Sequence, residues 1–407
     1  MKILIAWELG KNFGHIIKII EMAKPLYDRG AEIIFAVQDP GEFLKFKPDY
    51  PYTMLQAPFA SIRPIKSPIL TFTDDLRPCG YNNSSTMAGL IEAWRSLYDL
   101  VSPDILVTQS SPTALIAARD LNFPKVAFGT SYELPPLQTP MPLIPYWENV
   151  SEDILLKREQ DVLSNVNEAL KGFSIKLYDH FSDIYEVDAK FVCGFEELDH
   201  YPDRQENVKY YGTLFKTNAG ASLKWNSKAS KHIFAYLRPK EKSFKPVFSA
   251  LCELPNNYDV IIAAPGIDPK LKEAYENNHV GIEDGPVKLD NIMSKCDLAV
   301  CHAGVGISSA FLLKGVPLML FPGHIEQLMF GRAIGRLGAG RGAFGHVTTD
   351  KVHELINLLL NEEEFKEAAK SFAKKYKGYK PSKAVEDMAD EIFKLSKSKK
   401  PRKKKRA

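Results

Sequence analysis

The feature that most constrains this chain is a regular alternation of short apolar strands with amphipathic helices, which occurs in two separate series. In the first series, residues 2–7 form an apolar run, residues 16–29 place apolar side chains at helical spacing, and residues 31–37 form a second apolar run. This order predicts two parallel strands joined by a right-handed crossover. The pattern returns at 104–129 and, in a second series, at 231–337. Two such series predict an α/β protein with two doubly wound parallel-sheet domains.

The composition excludes several classes of protein. The chain has 407 residues, of which 45% are apolar and 25% are charged, so it is neither disordered nor collagenous. Five cysteines without a C-x-x-C spacing predict reduced thiols and no metal site, and the lack of a Walker loop argues against an ATPase. No apolar run reaches the roughly 18 residues that span a bilayer, and the apolar N-terminal stretch is broken at Glu8. Together these features predict a cytoplasmic protein.

The charge is unevenly distributed along the chain. The net charge is +3, but residues 397–407 contain eight basic side chains and no acidic one, so the rest of the chain is mildly acidic. An acidic body argues against a nucleic-acid partner. The basic run is expected to be a disordered tail. It could be merely solvated, bind RNA adventitiously, or be attracted to anionic lipid, which would place the protein peripherally at the inner face of the membrane.

The turn after the predicted strand 297–301 carries the strongest functional signal. The strand delivers His302 to its carboxyl end, and three small residues precede or open the next helix: Ala303, Gly304 and Gly306. Small residues let a ligand approach the backbone, and the first amides of a helix attract an anion. A Gly-x-Gly pair alone would favour a simple chain reversal. Followed by further motifs in register, it predicts a diphosphate site.

Three further motifs follow this turn. Gly315-Val316-Pro317 precedes the next predicted strand, Glu326-Gln327 follows that strand, and Gly338-Ala339-Gly340 ends the segment. Since the carboxyl ends of parallel strands meet at one edge, Glu326 and Gln327 could bind hydroxyls beside the diphosphate. The segment resembles the donor-binding motif of nucleotide-sugar-dependent glycosyltransferases of the GT-B fold. The relevant branch is glycosyltransferase family 1, with the macrolide and flavonoid glycosyltransferases.

The N-terminal half agrees with this resemblance. Trp7-Glu8-Leu9-Gly10 followed by Gly14-His15 is similar to the Gly-His turn of the family's first βαβ unit, and Pro103-Asp104 leads a strand as it does in the family. The Trp-Glu-Leu-Gly opening resembles a bacterial subgroup. The resemblance extends to about residue 395 and implies the GT-B fold, in which two Rossmann-like doubly wound parallel-sheet domains face a central cleft.

The same resemblance implies how the chain is divided. Residues 1–213 would form an acceptor-binding Rossmann-like domain, and residues 214–377 a nucleotide-sugar-binding Rossmann-like domain. Residues 378–396 would form a C-terminal helix that packs back on the N-terminal domain. The basic tail, 397–407, would follow.

The implied activity is an inverting, metal-independent sugar transfer of the hexosyltransferase type. The donor would be a UDP- or dTDP-linked sugar, the acceptor a hydroxyl of a small molecule or lipid, and no cofactor would be needed. Glucose-using members of the family carry a ribose-binding Glu at the position of Ala310. Its absence here favours a dTDP-linked donor.

The resemblance assigns the general base to His15, because an imidazole titrates near neutrality and can accept the acceptor's proton. The family orients this histidine with an Asp, but the matching residue here is Gln109. A neutral amide can fix the tautomer without supplying charge. Glu8 could replace the missing carboxylate if the turn folds it back onto His15. Gly14 and Glu133 are expected to contact the acceptor.

The residues expected to contact the donor come from several motifs in the second series. His302 would bind the diphosphate, together with the backbone of the helix start. The family's hydroxyl after the second glycine is replaced by Ile307, which Ser308 could offset. Arg238 could reach the phosphates, although a surface ion pair is equally compatible with its position. The full set is His302, Ala303, Gly304, Gly306, Ile307, Ser308, Glu326, Gln327, Arg238 and, flanking the base, Val287 and Leu289.

Two alternatives remain open from the sequence. Gln109, Ile307 and Ala310 depart together from polar or charged family positions, which would fit a catalytically degenerate nucleotide-sugar-binding or scaffold protein. An epimerase of the same architecture is disfavoured because the expected carboxylate cluster is not evident.

Overall fold

The computed structural model describes residues 1–10, 13–62, 64–226 and 229–398, and only the backbone of Phe13, Lys397 and Ser398. The chain forms two compact units. The first contains residues 1–195 and 201–214 and the C-terminal segment from residue 380. The second contains Glu196–His200 and Phe215–Tyr379. Of the predicted basic tail, residues 399–407 lie outside the described residues.

The first unit is built on one six-stranded parallel sheet. Its strands are β1 (Lys2–Trp7), β2 (Glu32–Val37), β3 (Thr53–Gln56), β4 (Ile105–Gln109), β5 (Lys125–Gly129) and β6 (Ala189–Val192). Their order across the sheet is β3-β2-β1-β4-β5-β6, and each neighbouring pair is parallel. The central strands β1 and β4 are buried along almost their whole length because both faces of the sheet are covered.

The second unit repeats this plan. Its strands are β7 (Lys231–Tyr236), β8 (Tyr258–Ala263), β9 (Val280–Glu283), β10 (Leu298–Cys301), β11 (Leu318–Leu320) and β12 (Gly340–Gly342). Their order is β12-β11-β10-β7-β8-β9, again parallel throughout. Counted within each unit, both sheets have the order 3-2-1-4-5-6. The strand order reverses between β1 and β4 in the first sheet and between β7 and β10 in the second, and ligands of such sheets bind at these switch points.

Helices connect the strands in both units. Those of the first unit are α1 (Phe13–Asp28), α2 (Pro40–Leu44), α3 (Phe72–Leu76), α4 (Ser84–Val101), α5 (Pro112–Ala117) and α6 (Glu152–Lys171). Those of the second are α7 (Phe244–Cys252), α8 (Pro269–Tyr275), α9 (Asp290–Met293), α10 (Val305–Leu312), α11 (Ile325–Arg336), α12 (Thr349–Asn361) and α13 (Glu363–Lys375). Within the described residues, no helix is long and apolar enough to span a membrane.

The last helix, α14 (Pro381–Ser398), belongs to the first unit and packs against α1. Met388, Ala389 and Ile392 on its inner face are fully buried. At the rim of this contact, Arg29 donates to Glu386 and Asp390. The burial of an apolar helix face, more than these exposed ion pairs, holds α14 in place.

The structure confirms the predicted α/β fold and differs from the sequence prediction in several elements. Strand β3 lies in the Pro-rich segment 48–68, and β6 and β12 are short edge strands that the apolar pattern does not reveal. Helix α1 begins at Phe13, so Gly14 and His15 lie in its first turn and not in the preceding loop.

Candidate active site

At the switch point of the first sheet, His15 and Gln109 meet. His15 lies in the first turn of α1, just after β1, and Gln109 is the last residue of β4, the neighbour of β1. The imidazole Nδ1 is 2.9 Å from Gln109 Oε1 and 3.2 Å from Glu133 Oε1. The side chain of His15 is 14% exposed, so it remains in contact with solvent.

The carboxylate beside this pair comes from Glu133, in the segment after β5. Gln109 Nε2 donates to Glu133 Oε1 over 2.5 Å, and the Thr130 amide donates to Oε2 over 2.6 Å. Lys18 Nζ, one helical turn after His15, lies 3.1 Å and 2.9 Å from the two oxygens. Burial alone would raise the pKa of Glu133, but Lys18 and the His15 hydrogen bond outweigh it and hold that pKa well below its ordinary value.

This network fixes the tautomer of His15. Glu133 is ionised and can only accept, so the Gln109 amide must turn its Nε2 toward Glu133 and its Oε1 toward His15. In the neutral imidazole of His15, Nδ1 therefore carries the hydrogen and Nε2 the lone pair. The arrangement leaves Nε2 as a base while a carboxylate stands behind Nδ1.

Two residues of the Trp-Glu-Leu-Gly opening shape the surroundings of Nε2. The Trp7 indole stacks on the imidazole, with ring centroids 5.9 Å apart and planes 12° apart. Gly10 has a φ of +92°, and a Cβ atom at this position would lie only 2.3 Å from His15 Nε2. Any side chain at residue 10 would collide with the basic nitrogen, so glycine is required by space as well as by conformation.

Glu8 is not part of this network, which corrects the expectation that it folds back onto His15. It is 1% exposed, accepts from Trp94 Nε1 (2.8 Å) and the Thr113 amide (2.6 Å), and its own amide donates to Ser111 Oγ. Its carboxylate thus caps the start of α5 and ties the end of β1 to the β4–α5 turn. Burial raises the pKa of Glu8 to about 8. Glu133, expected only to contact the acceptor, occupies the place proposed for Glu8.

At the switch point of the second sheet, His302 joins three turns. Its Nδ1 lies 2.9 Å from the Phe321 carbonyl, after β11, and therefore donates to it. Its Nε2 accepts from the Arg238 amide, after β7, over 3.0 Å. Burial lowers the pKa of His302, which favours this neutral form. Both ring nitrogens are occupied, so His302 positions the turns around it. The direct hydrogen bond to a diphosphate expected from the sequence is not available to this imidazole.

The start of α10 offers free amides in the expected place. Gly304 is the N-cap residue and makes no side-chain capping bond, and the first turn of a helix has no intrahelical partners for its amides. Gly304, Val305, Gly306 and Ile307 are partly exposed, whereas Ala303 is buried and holds a φ of +56°. A non-glycine residue in this region is strained, and such strain is typical of functional turns.

Ser308 does not take the role expected for it. Its side chain is 0% exposed and its Oγ lies 3.4 Å from Cys301 Sγ. The hydroxyl is thus buried within the second unit and cannot offset the apolar Ile307 at a phosphate. The sequence cannot reveal this placement, because in a short helix start one residue decides whether a hydroxyl faces the ligand or the core.

Of the other donor-site candidates, Arg238 follows β7 and Glu326 and Gln327 begin the helix after β11, whereas Val287 and Leu289 follow the edge strand β9. Arg238 is partly exposed, and within the described chain no carboxylate lies at ion-pair distance from its guanidinium, so the surface ion pair is not formed. Gln327 Oε1 accepts from the Gly323 amide over 2.8 Å, and Glu326 lies in the first turn of α11.

The two residues expected to flank the base differ in burial. Val287 is buried and pairs with Ala221, whereas Leu289 is partly exposed at the start of α9. Gly14, on the first unit, is exposed.

Sequence analysis overlooked Lys18 and the part that Glu133 plays beside His15. Lys18 follows His15 at the i,i+3 spacing that places two side chains on one helix face. Glu133 follows a predicted strand, but its proximity to Gln109 depends on β5 lying next to β4. Among the described residues, no group of three or more His, Cys, Asp or Glu side chains is arranged to hold a metal ion.

Comparisons with known proteins support the fold. No family model and no curated protein matches the sequence. Among solved structures, the glycosyltransferase of kitacinnamycin matches with a TM-score of 0.71 at 15% identity, covering 97% of this chain and 98% of that one. The glycosyltransferase VinC in complex with dTDP gives 0.66 at 13% identity, covering 98% and 100%. The spinosyn rhamnosyltransferase SpnG, complexed with spinosyn aglycone, gives 0.66 at 14%, covering 95% and 100%. The chain therefore has the two-domain α/β GT-B fold.

Proposed function

We propose that this protein is an inverting glycosyltransferase. It transfers a sugar from a UDP- or dTDP-linked donor to a hydroxyl of a small-molecule or lipid acceptor. The observation that carries the proposal is the environment of His15: Nδ1 faces Gln109 and an ionised carboxylate, which in the neutral imidazole leaves the lone pair on Nε2, beside Gly10. A purely structural histidine would have no need of such a buried charge network.

In the proposed reaction, His15 Nε2 removes the proton from the acceptor hydroxyl as its oxygen attacks the anomeric carbon. The bond from that carbon to the diphosphate oxygen breaks, and the nucleoside diphosphate leaves with the bonding electrons. Displacement from the opposite face inverts the anomeric configuration. The imidazolium that forms is stabilised by Glu133, directly and through Gln109. General-base catalysis of this kind contributes about 10²- to 10⁴-fold in rate.

The second unit would bind the donor. The amides that open α10 and the unpaired Arg238 guanidinium would stabilise the negative charge on the leaving diphosphate. We propose that these protein groups serve without a metal ion or other cofactor. Glu326 and Gln327 would bind sugar hydroxyls. Ala310 is buried in α10 and provides no ribose-binding carboxylate, which favours a dTDP donor, the nucleotide bound in the VinC complex.

The acceptor would bind the first unit, near the exposed Gly14 and the rim of His15. SpnG has been solved with the spinosyn aglycone, a small-molecule acceptor, and its fold is the same. We extend this class of acceptor to the present chain. A lipid acceptor remains within the proposal because the chemistry of His15 demands only a hydroxyl.

The test is release of nucleoside diphosphate from UDP-glucose, dTDP-glucose and dTDP-rhamnose, with a panel of polyketide aglycones or a bacterial lipid extract. We expect release from at least one donor that rises with an acceptor, and a glycosylated product of inverted configuration by NMR. If donors bind without turnover under every condition, the protein is the nucleotide-sugar-binding alternative. If no nucleotide binds, both interpretations are wrong.

A further inference from the structure

The inference concerns Glu241, a carboxylate in the turn that follows β7. The turn is fixed by the Glu241 amide, which donates to the Arg238 carbonyl over 3.0 Å. The side chain lies over Gly323, in the turn after β11. A Cβ atom at residue 323 would be 2.6 Å from Glu241 Oε2 and 3.2 Å from Oε1. Since the strand order is β11-β10-β7, this carboxylate spans the end of β10, where His302 leads into α10.

The charge on Glu241 is not compensated by a neighbouring cation. In the part of the chain that the structure describes, no lysine, arginine or histidine lies within ion-pair distance of its carboxylate, although Arg238, Lys240 and Lys242 are close in sequence. The residue is only partly exposed. The Glu241 carboxylate oxygens are not fully buried and accept no hydrogen bond from the described residues, so they are accessible to a ligand that brings hydrogen-bond donors.

A hydrogen-bond donor of complementary type also lies against Gly323. Gln327 Oε1 accepts from the Gly323 amide, which turns Nε2 away from that bond and leaves its two hydrogens for another acceptor. A hydroxyl group can donate to a carboxylate and accept from an amide at the same time. Glu241 and Gln327, both against Gly323, thus form a pair suited to a sugar hydroxyl.

We propose that Glu241 accepts a hydrogen bond from a hydroxyl of the donor sugar, and that Gly323 is glycine so that this carboxylate can reach its position. The inference rests on the proposed function. It names a contact outside the donor motif, in which Glu326 and Gln327 are the residues expected to bind sugar hydroxyls. A carboxylate at this point also disfavours donors that present an anionic group, such as a uronic acid, at the same position.

The experiment measures dissociation constants by calorimetry on the full chain, for UDP and dTDP alone and for UDP-glucose, dTDP-glucose and dTDP-rhamnose. The quantity compared is the ratio of the constant for the nucleotide sugar to that for its bare nucleotide. Glu241→Gln should raise this ratio about tenfold, the usual effect of losing a charge-assisted hydrogen bond. The matched control is Glu253→Gln, at the exposed end of α7, which should leave the ratio unchanged.

A second variant ties the effect to the geometry. Gly323→Ala should displace the carboxylate and raise the same ratio, and adding it to Glu241→Ala should have no further effect, because both changes remove one contact. An unchanged ratio in Glu241→Gln overturns the inference and leaves the proposed function intact. Equal changes for nucleotide and nucleotide sugar also overturn it, since they place Glu241 at the phosphates. Loss of all nucleotide binding in the wild type would overturn the proposed function, and this inference with it.

Discussion

The two units have the same strand order, yet their switch points are built in opposite ways. In the first, an ionised Glu133 and Lys18 are buried together around the Nδ1 side of His15. In the second, His302 is neutral and bonded at both nitrogens to backbone, and the amides of α10 are left open. At the first switch point, the charged side chains bind one another. At the second, the backbone amides that open α10 have no partner within their helix. In the proposed function, one fold thus serves as a proton acceptor in one copy and as an anion site in the other.

The two switch points share a backbone conformation although their side chains differ. Ser110 follows β4 with a φ of +48°, and Ala303 follows β10 with a φ of +56°. Both residues lie in the turn after the strand at which the sheet order reverses. Left-handed residues that are not glycine cost free energy, so their occurrence at matching places indicates that the turn itself is needed. The side chains around each turn then determine its chemistry.

The largest expected effect separates the two histidines. His15→Ala should lower kcat about 10²- to 10⁴-fold, because the base is lost, while the dissociation constant for dTDP or UDP stays within twofold. His302→Ala should instead weaken nucleotide binding and change kcat little. It leaves the Phe321 carbonyl and the Arg238 amide unsatisfied, so nucleotide binding weakens about tenfold and the second unit loses roughly 2–4 kcal/mol of unfolding free energy.

Steady-state kinetics, calorimetry and thermal unfolding measure these quantities. His346→Ala, at an exposed histidine of the second unit, is the control and should change none of them. Equal losses of nucleotide binding in His15→Ala and His302→Ala would remove the contrast between the two switch points.

The next effect distinguishes the two buried glutamates of the first unit. Glu133→Gln should lower kcat about 10²-fold, since the imidazolium loses its carboxylate and the Gln109 amide is no longer held in one orientation by an acceptor-only partner. Glu8→Gln should lower kcat by less than about threefold, because Glu8 contacts Trp94 and Thr113 and not His15. The nucleotide affinity should be unchanged in both. A larger loss in Glu8→Gln than in Glu133→Gln would restore Glu8 as the partner of His15.

A smaller effect concerns pH. The pKa of Glu8 is raised to about 8 from 4.5, so its protonated form stabilises the fold, and this contribution is lost as pH rises through 8. The pKa of His302 is lowered from 6.5, so its contribution is present above 6.5 and lost as pH falls. The first unit should weaken toward high pH and the second toward low pH, each by at most about 1.4 kcal/mol per pH unit.

Hydrogen exchange of peptides from β1 and β10 between pH 5 and 9, corrected for intrinsic exchange, resolves the two units separately. Glu8→Gln should abolish the high-pH loss in β1 without changing β10. If both peptides respond alike in the wild type, the two units do not differ in the way proposed.

The smallest effect tests the start of α10. Ser308→Ala should change the dissociation constant for dTDP or UDP by less than about twofold, because the hydroxyl is buried against Cys301. Ile307→Ser, which places a hydroxyl at the partly exposed neighbour, should tighten nucleotide binding severalfold. Calorimetry measures the dissociation constant for dTDP or UDP in both variants. A large loss in Ser308→Ala would mean that the helix start rearranges around a bound diphosphate.

The sequence predicts the elements that are long or deeply buried, and misses those that are neither. The alternation of apolar strands and helices predicts β1, α1 and β2, as well as β10 and α10, because the buried positions of these elements are mostly occupied by apolar residues. Strands β3 and β12 escape prediction. The first lies among prolines, and the second is Gly340–Gly342, so their pairing depends on the adjacent strand and not on their own composition.

The site residues also fall into two groups, those that a sequence motif contains and those that only the tertiary structure brings together. His15 and the small residues after β10 lie within continuous motifs, and a motif can be found in one sequence. The partnership of His15 with Glu133 cannot, because 118 positions separate the two residues and only the strand order brings them together. The orientation of Ser308 and the double backbone bond of His302 are likewise set by tertiary packing, which local patterns do not contain.

The return of α14 to α1 has a consequence for how this protein can be divided. Apart from Glu196–His200, the second unit is one insertion, because the chain leaves the first unit after Leu214 and re-enters it at Lys380. A fragment ending near residue 379 would strip a helix from the first unit and expose the apolar flank of α1, while leaving the second unit whole. Expression boundaries placed between residues 214 and 380 would therefore disrupt the core of the first unit, which needs both the segment before residue 215 and the segment from residue 380.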